Sequence, residues 1–369
     1  MNSKKINKKY KKKKSRKKKA NINVGFMRFN NTNSNNLNEN VNILNKKMVS
    51  ETKFGGYPLD LLFGIIYLKR KHPTTLALPF DIKQLLIKYS EQLEERVPFT
   101  FIGCIIYKCH ENIIQKDLYS NNNSQKKKYK FNKNDFEIEL PGKASISEFK
   151  KILNSSRKKG RRFTIIPLIF RWSCNYVFEG HANIMIFDFE TNTVERFEPY
   201  GFISSFTDEE EAVSKSFNDE FKKLLNKIDP SLNFIDQFDL LRKGPQFIEE
   251  IQVHKQKILK QTNDPEGFCG AWSLWYADLR LTNPNKSPKE LIAIAIDSIT
   301  KTKRKKLRAF IRNYSLFLVE ERYNFLKKIK QKNPYNHVLG DQIQSLKEKK
   351  TTIAGLLKTS KILEGNLNK

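Results

Sequence analysis

Residues 181–198 read HANIMIFDFETNTVERFE. The first half is dense in β-branched and aromatic residues, and so is the end, while the Glu-Thr-Asn-Thr stretch at 190–193 is turn-forming. The pattern predicts a hairpin of 181–189 on 193–198. Its outer ends are His181 and Glu198, seventeen residues apart. In an antiparallel hairpin turning near Thr191 and Asn192, such a pair shares one face, so the acid can orient the imidazole and stabilise its protonated form. Taken singly, His181 reads as a strand-edge histidine and Glu198 as a solvated charge.

Upstream, 162–170 (RFTIIPLIF) and 99–107 (FTFIGCIIY) are short apolar runs predicted as buried strands, with Cys104 as ordinary core. Ile82, Leu85, Leu86, Tyr89 and Leu93 recur at helical spacing behind Asp81, a suitable cap. The polar stretch 116–134 reads as an exposed excursion. Downstream come a charged helical region near 207–227 and a buried helix over 267–280. Ser287-Pro-Lys-Glu290 has the form of a capping box with Pro at the first helical position, opening a helix to about Thr300, and a basic, aromatic helical stretch spans roughly 303–331. Strands first and helices later predict an α+β fold, a mixed or antiparallel sheet packed on helices. The expected organisation is a polybasic, Asn-rich arm at 1–50, an N-terminal α/β extension at 51–155, a main domain at 156–331 with an insertion about 205–255, and a polar tail at 332–369.

Hydrophobic residues make up 38% of the chain and aromatics 12%, enough for a sizeable core once the polar arm is set aside. The net charge is +30, and residues 1–19 hold twelve Lys or Arg and no acid. Such a balance favours polyanions, because each phosphate met by a cation releases condensed counterions. Nucleic acid is the expected partner, with a solubilising surface as the plainer reading of the body's charge. The arm reads as a nucleic-acid tether or nuclear-entry signal, or as drift in AT-rich coding. Four cysteines are too few for a disulfide framework in 369 residues, and Cys104-x4-Cys109 lacks a second pair of zinc ligands. Reducing surroundings are expected. The charged start leads into Asn-rich sequence, unlike a secretory signal, and no apolar run approaches the roughly 20 residues of a membrane helix.

Cys269 stands in Gly267-Phe-Cys-Gly270, at the predicted start of the buried helix. A thiol is a useful nucleophile only as thiolate, and a helix N-terminus beside an imidazolium favours that form. The flanking glycines permit a tight entry and close approach of a substrate backbone. Alone, Cys269 could equally be a small buried hydrophobe. Cys109 and Cys174 compete as thiols, but neither follows a Gln or opens a convincing helix.

Gly180-His181 before an apolar strand, Arg196-Phe-Glu-Pro-Tyr-Gly-Phe202, Gln261-Thr-Asn-Asp-Pro-Glu-Gly-Phe-Cys-Gly270 and the upstream Ile165-Ile166-Pro167 occur in that ordered set over about residues 160–300. The set resembles the adenovirus-type and ubiquitin-like-protein-specific cysteine peptidases, whose motifs run His, Asp or Glu, Gln, Cys. The resemblance implies a papain-like, two-part fold with circularly permuted catalytic order. It implies Cys269 as nucleophile, His181 as general base, Glu198 as orienting acid, and Gln261 as a side-chain oxyanion donor beside the Cys269 amide. Three features depart from the pattern. Ala182 stands where the family has Trp, Gln261 lies eight residues before Cys269 with Gln256 as the alternative, and the stretch from Glu198 to Gln261 is long.

The activity so implied is a thiol endopeptidase of a large DNA virus, processing viral polyprotein during virion maturation, with no required cofactor and with DNA as an activating polyanion. It would act in the virion and host-cell cytoplasm, or in the nucleus through the basic arm. The same constellation could instead remove ubiquitin-like modifiers. The non-enzymatic alternative is a basic, nucleic-acid-binding virion core protein.

Overall fold

The structure, a computed structural model, describes residues 58–81, 101–107, 135–172, 180–201, 208–241, 243–254, 268–301 and 307–332, with Gln344 and Lys347. The chain begins with α1 (Pro58–Lys71), β1 (Leu76–Ala77), β2 (Ile102–Ile106), β3 (Phe136–Glu139) and α2 (Ile146–Lys158). Then come β4 (Phe163–Trp172), β5 (Gly180–Asp188), β6 (Thr193–Phe197), α3 (Asp208–Ile228), β7 (Asn233–Ile235), the single turn α4 (Gln237–Leu240) and α5 (Pro245–His254). Three helices close the described chain, α6 (Cys269–Thr282), α7 (Pro288–Lys301) and α8 (Leu307–Lys332). The Asn-rich arm, the helix expected from Ile82, the 116–134 excursion and most of the polar tail lie outside the described residues.

The strands form one mixed seven-stranded sheet in the order β3-β2-β4-β5-β6-β7, with β1 also on β4. β1 and β2 share one edge of β4. β1 runs parallel along Phe163 and Thr164, and β2 runs parallel along Leu168 to Trp172. Pro167 falls in the gap between them, so along that edge its missing N–H costs no ladder bond. β5 pairs antiparallel with β4 and with β6. The segment expected as an N-terminal extension thus contributes strands to the same sheet.

Alternation along the strands loads both faces. One face presents Ile165, Ile169, Ile184, Ile186 and Phe197 to a core shared with Leu61, Trp272, Leu291 and Phe310 of the C-terminal helices and α1. The other presents Ile166, Leu168, Phe170, Met185, Phe187 and Val194 to Phe149 and Leu153 of α2 and to Phe217, Phe221 and Leu225 of α3. The architecture is therefore α+β, a sheet covered by helices on both sides. Helix α6 is buried from Cys269 through Leu281. An all-round buried helix needs an all-round jacket, which the sheet, α1, α5 and α8 supply. Gly64 makes the closest of these contacts, since a Cβ there would stand 2.1 Å from Leu274 Cδ1.

The hairpin closes one residue earlier than its composition suggests, with Asp188 opposite Thr193 and Phe189 already in the turn. The cause is local. Asp188 Oδ1 accepts the backbone N–H groups of Glu190 (3.1 Å) and Thr191 (3.4 Å), and Asn192 takes the left-handed φ of 52° that Asn tolerates.

Candidate active site

Helix α6 aims its first turn at the start of β5. Ser273 Oγ donates to the Ala182 carbonyl (3.2 Å), and the Ala182 N–H donates to Cys269 Sγ (3.5 Å). Ala182 is fully buried in the core that holds α6. A large side chain there would displace the helix, which accounts physically for a small residue at this position.

Cys269 is the first residue of α6, after Phe268 with φ −96° and ψ 17°, whose own side chain makes no capping hydrogen bond. The free N–H groups of a first helical turn carry partial positive charge, which favours a thiolate. The side chain is buried, with 3% exposure.

His181 lies next to it. In the β5/β6 register Ile184 opposes Phe197, so one step outward Glu198 stands across from Asn183, diagonal to His181 and on its side of the sheet. His181 Nε2 meets Glu198 Oε1 at 2.5 Å, and the Cys269 side chain, which accepts from the next N–H along β5, is a near neighbour of the ring. Burial opposes charge on the imidazole, yet the Glu198 carboxylate and the neighbouring Cys269 side chain outweigh it and hold the His181 pKa well above 6.5. For Glu198 burial acts upward, but the His181 cation, the Arg196 guanidinium and the Tyr200 N–H pull its carboxyl below 4.5. The group is thus an imidazolium beside a carboxylate and a sulfur at a helix N-terminus. The Tyr200 ring lies 5.3 Å from the His181 ring, tilted by 45°, and supplies an aromatic neighbour to the imidazole where position 182 does not.

His181, Glu198 and Cys269 therefore come together from β5, the end of β6 and the start of α6. Gln261, the alternative Gln256, and the competing thiols Cys109 and Cys174 lie outside the described residues. Cys104 is fully buried in β2, where burial pushes its thiol up to about 12, the behaviour of an inert core cysteine. Among the described residues no cluster of three or more His, Cys, Asp or Glu could hold a metal ion, and no helix is long and apolar enough to cross a membrane.

Two groups that composition and spacing gave no role stand beside the site. Glu249, 1% exposed on α5, accepts from Trp272 Nε1 (3.0 Å) and pairs with Arg308, whose guanidinium lies 5.5 Å from the Phe268 ring centroid. This cluster grips the entry to α6. Arg196 stands two residues before Glu198 in the same strand, and that spacing is the signal that could have marked it, since alternate residues share a face.

Comparison with known proteins finds no matching family model and no matching solved structure. The chain is similar to a protein of Acanthamoeba polyphaga mimivirus that is named for ankyrin repeats (L371), at 26% identity over 297 residues. The match takes in 79% of this chain and 35% of that protein, so the chain spans about a third of the length of this relative. Ankyrin units are helical pairs after a β-turn, repeating every 33 residues or so. The seven-stranded sheet described above is not built from such units.

Proposed function

We propose that this chain is a cysteine peptidase in which Cys269 is the nucleophile, His181 the general base and acid, Glu198 the orienting carboxylate, and Gln261 an oxyanion donor beside the Cys269 amide. The observation that carries the reading is the imidazole of His181, bonded to Glu198 through Nε2, on the residue next to Ala182, whose N–H donates to the Cys269 sulfur at the first turn of a buried helix. An imidazolium and a helix N-terminus are the two influences that make a thiolate at neutral pH.

The thiolate attacks an amide carbonyl, and the carbonyl π electrons move onto oxygen. The helix N-terminus offers N–H donors to that oxyanion. Collapse of the tetrahedral intermediate breaks the C–N bond as His181 gives its proton to the leaving amine. Neutral His181 then takes a proton from water, which attacks the thioester and releases the acid and Cys269. Glu198 holds one ring tautomer and stabilises the imidazolium in both halves. The proposed fold class is papain-like with permuted catalytic order; likeness to a mimivirus protein supports a viral setting, and viral polyprotein is the proposed substrate.

The test is cleavage of model polyprotein peptides by purified protein. Cys269→Ala and His181→Ala should each lower kcat by about a thousandfold or more. Unchanged cleavage by either variant sinks the assignment. A ubiquitin-like protein with a C-terminal electrophile distinguishes the isopeptidase form of the same chemistry, since only that form is labelled at Cys269.

A further inference from the structure

Glu198 has two carboxylate oxygens, and only one is spent on His181. Oε1 accepts from His181 Nε2 and from the Tyr200 N–H (3.1 Å), while Oε2 faces Arg196 Nη2 at 3.7 Å. The Arg196 side chain is 1% exposed. Its Nε donates to Asn183 Oδ1 (2.9 Å), and its Nη1 donates to Asn218 Oδ1 (2.6 Å) and to the Ser214 carbonyl (3.4 Å). The guanidinium carbon lies 4.8 Å from the Phe170 ring centroid and 5.0 Å from that of Phe217. One cation is thus held by β5 and α3 through amide and carbonyl oxygens, and packed between rings from β4 and α3.

A guanidinium withdrawn from water is costly unless its charge is matched, and Asn183, Asn218 and Ser214 offer neutral oxygens alone. The titratable groups that face it are Glu198 at the end of β6, Cys104 on β2 and Asp236 after β7. Burial lowers the Arg196 pKa to about 10, with Glu198 the strongest influence in the other direction, so it stays charged at neutral pH.

We propose that Arg196 is a positioning residue for the Glu198 carboxylate: held by Asn183, Asn218 and Ser214, it fixes Oε2 so that Oε1 points at His181, and through that pair it sets how readily Cys269 reacts. The proposal rests on the cysteine peptidase reading. It also gives α3, part of the stretch that reads as an insertion in the sequence, a hold on the orienting carboxylate through Arg196. The sign follows from charge alone. A fixed cation disfavours every proton near it, so removing it raises the pH at which the Glu198–His181 pair gives up its protons.

The experiment is the rate of Cys269 alkylation by iodoacetamide against pH on the full chain, read by mass spectrometry so that the other thiols are separate. Unfolding curves verify each variant. Wild-type Cys269 is expected to react faster at neutral pH than an exposed free cysteine, with a rate that falls along an acid limb. Arg196→Met should move that limb upward by about one pH unit, roughly a tenfold loss of rate on the limb. Arg196→Lys should restore part of it, because the charge remains. Asn218→Ala, which loosens the guanidinium without removing it, should shift the limb in the same direction by less, and it serves if Arg196→Met fails to fold. A limb unmoved in Asn218→Ala and in every Arg196 variant that folds overturns the proposal while leaving the peptidase reading intact. Wild-type Cys269 that reacts no faster at neutral pH than an exposed free cysteine overturns both.

Discussion

At the residue scale the decisive object is the His181–Glu198 pair, and its opposite pKa displacements make it a pH-dependent source of stability. His181 is raised in the folded chain, so its contribution is complete below its unfolded value of about 6.5 and is lost as pH rises through the folded one. Glu198 is lowered, so its contribution is present above its unfolded value of about 4.5 and is lost as pH falls through the folded one. The two windows overlap between roughly pH 5 and 6.5, where the pair contributes most. Glu198→Gln keeps the shape and removes the charge. It should cost about 3 kcal/mol in that window, by analogy with other broken buried pairs, and progressively less toward alkaline pH. Urea unfolding at pH 6 and at pH 9 measures the difference. An equal cost at both values would place the loss on the buried Arg196 guanidinium, which stays charged across that range, and not on His181.

At the scale of elements, the site depends on how closely α6 approaches β5 and α1, and Gly64 tests the second approach. A methyl group there meets Leu274 Cδ1 at 2.1 Å inside a filled core, so Gly64→Ala should destabilise the chain by about 1–3 kcal/mol, lowering its thermal midpoint. Adding Leu274→Ala should recover part of that loss despite removing a buried side chain, a non-additivity that a double-mutant cycle reads directly. The same elements show where sequence was legible. The hairpin, the strands around Cys104 and Ile165, the Cys269 helix and the helix capped by Ser287 follow from local composition, because period and caps are local properties; the Glu290 N–H indeed meets Ser287 Oγ at 3.3 Å. His181 and Glu198 were legible together because a hairpin makes their proximity local too. What composition and spacing could not supply is the pairing of β1 and β2 with one edge of β4, the Tyr200 ring beside His181, and the meeting of Glu249 with Arg308 around Phe268. Those contacts join residues far apart along the chain or depend on how a loop bends.

Over the whole molecule the dominant property is charge, and it supports a nucleic-acid partner alongside the proposed chemistry. Twelve of the net +30 charges sit within residues 1–19, and the remainder of the chain stays strongly positive. The two regions would act on a polyanion in distinguishable ways. Each phosphate neutralised contributes about −0.9 to the slope of log affinity against log salt for duplex DNA. If the arm supplies the contacts, deleting residues 1–50 should flatten that slope by several units, up to about thirteen if nearly every one of its fifteen Lys or Arg meets a phosphate. If the body supplies them, the slope survives the deletion nearly whole. Fluorescence anisotropy with a random-sequence duplex, titrated from about 50 to 200 mM salt, decides between them, because that range spans roughly 10³–10⁵ in affinity for six to ten contacts. We expect the arm to carry most of the slope, since it sets fifteen Lys or Arg against the single acid Glu39, whereas the body spends several of its cations on Asp188, Glu195, Asp278 and Glu249. An affinity for DNA that hardly changes with salt, in the full chain as in the deleted one, would remove phosphate contacts as the purpose of the charge and leave it as a determinant of solubility.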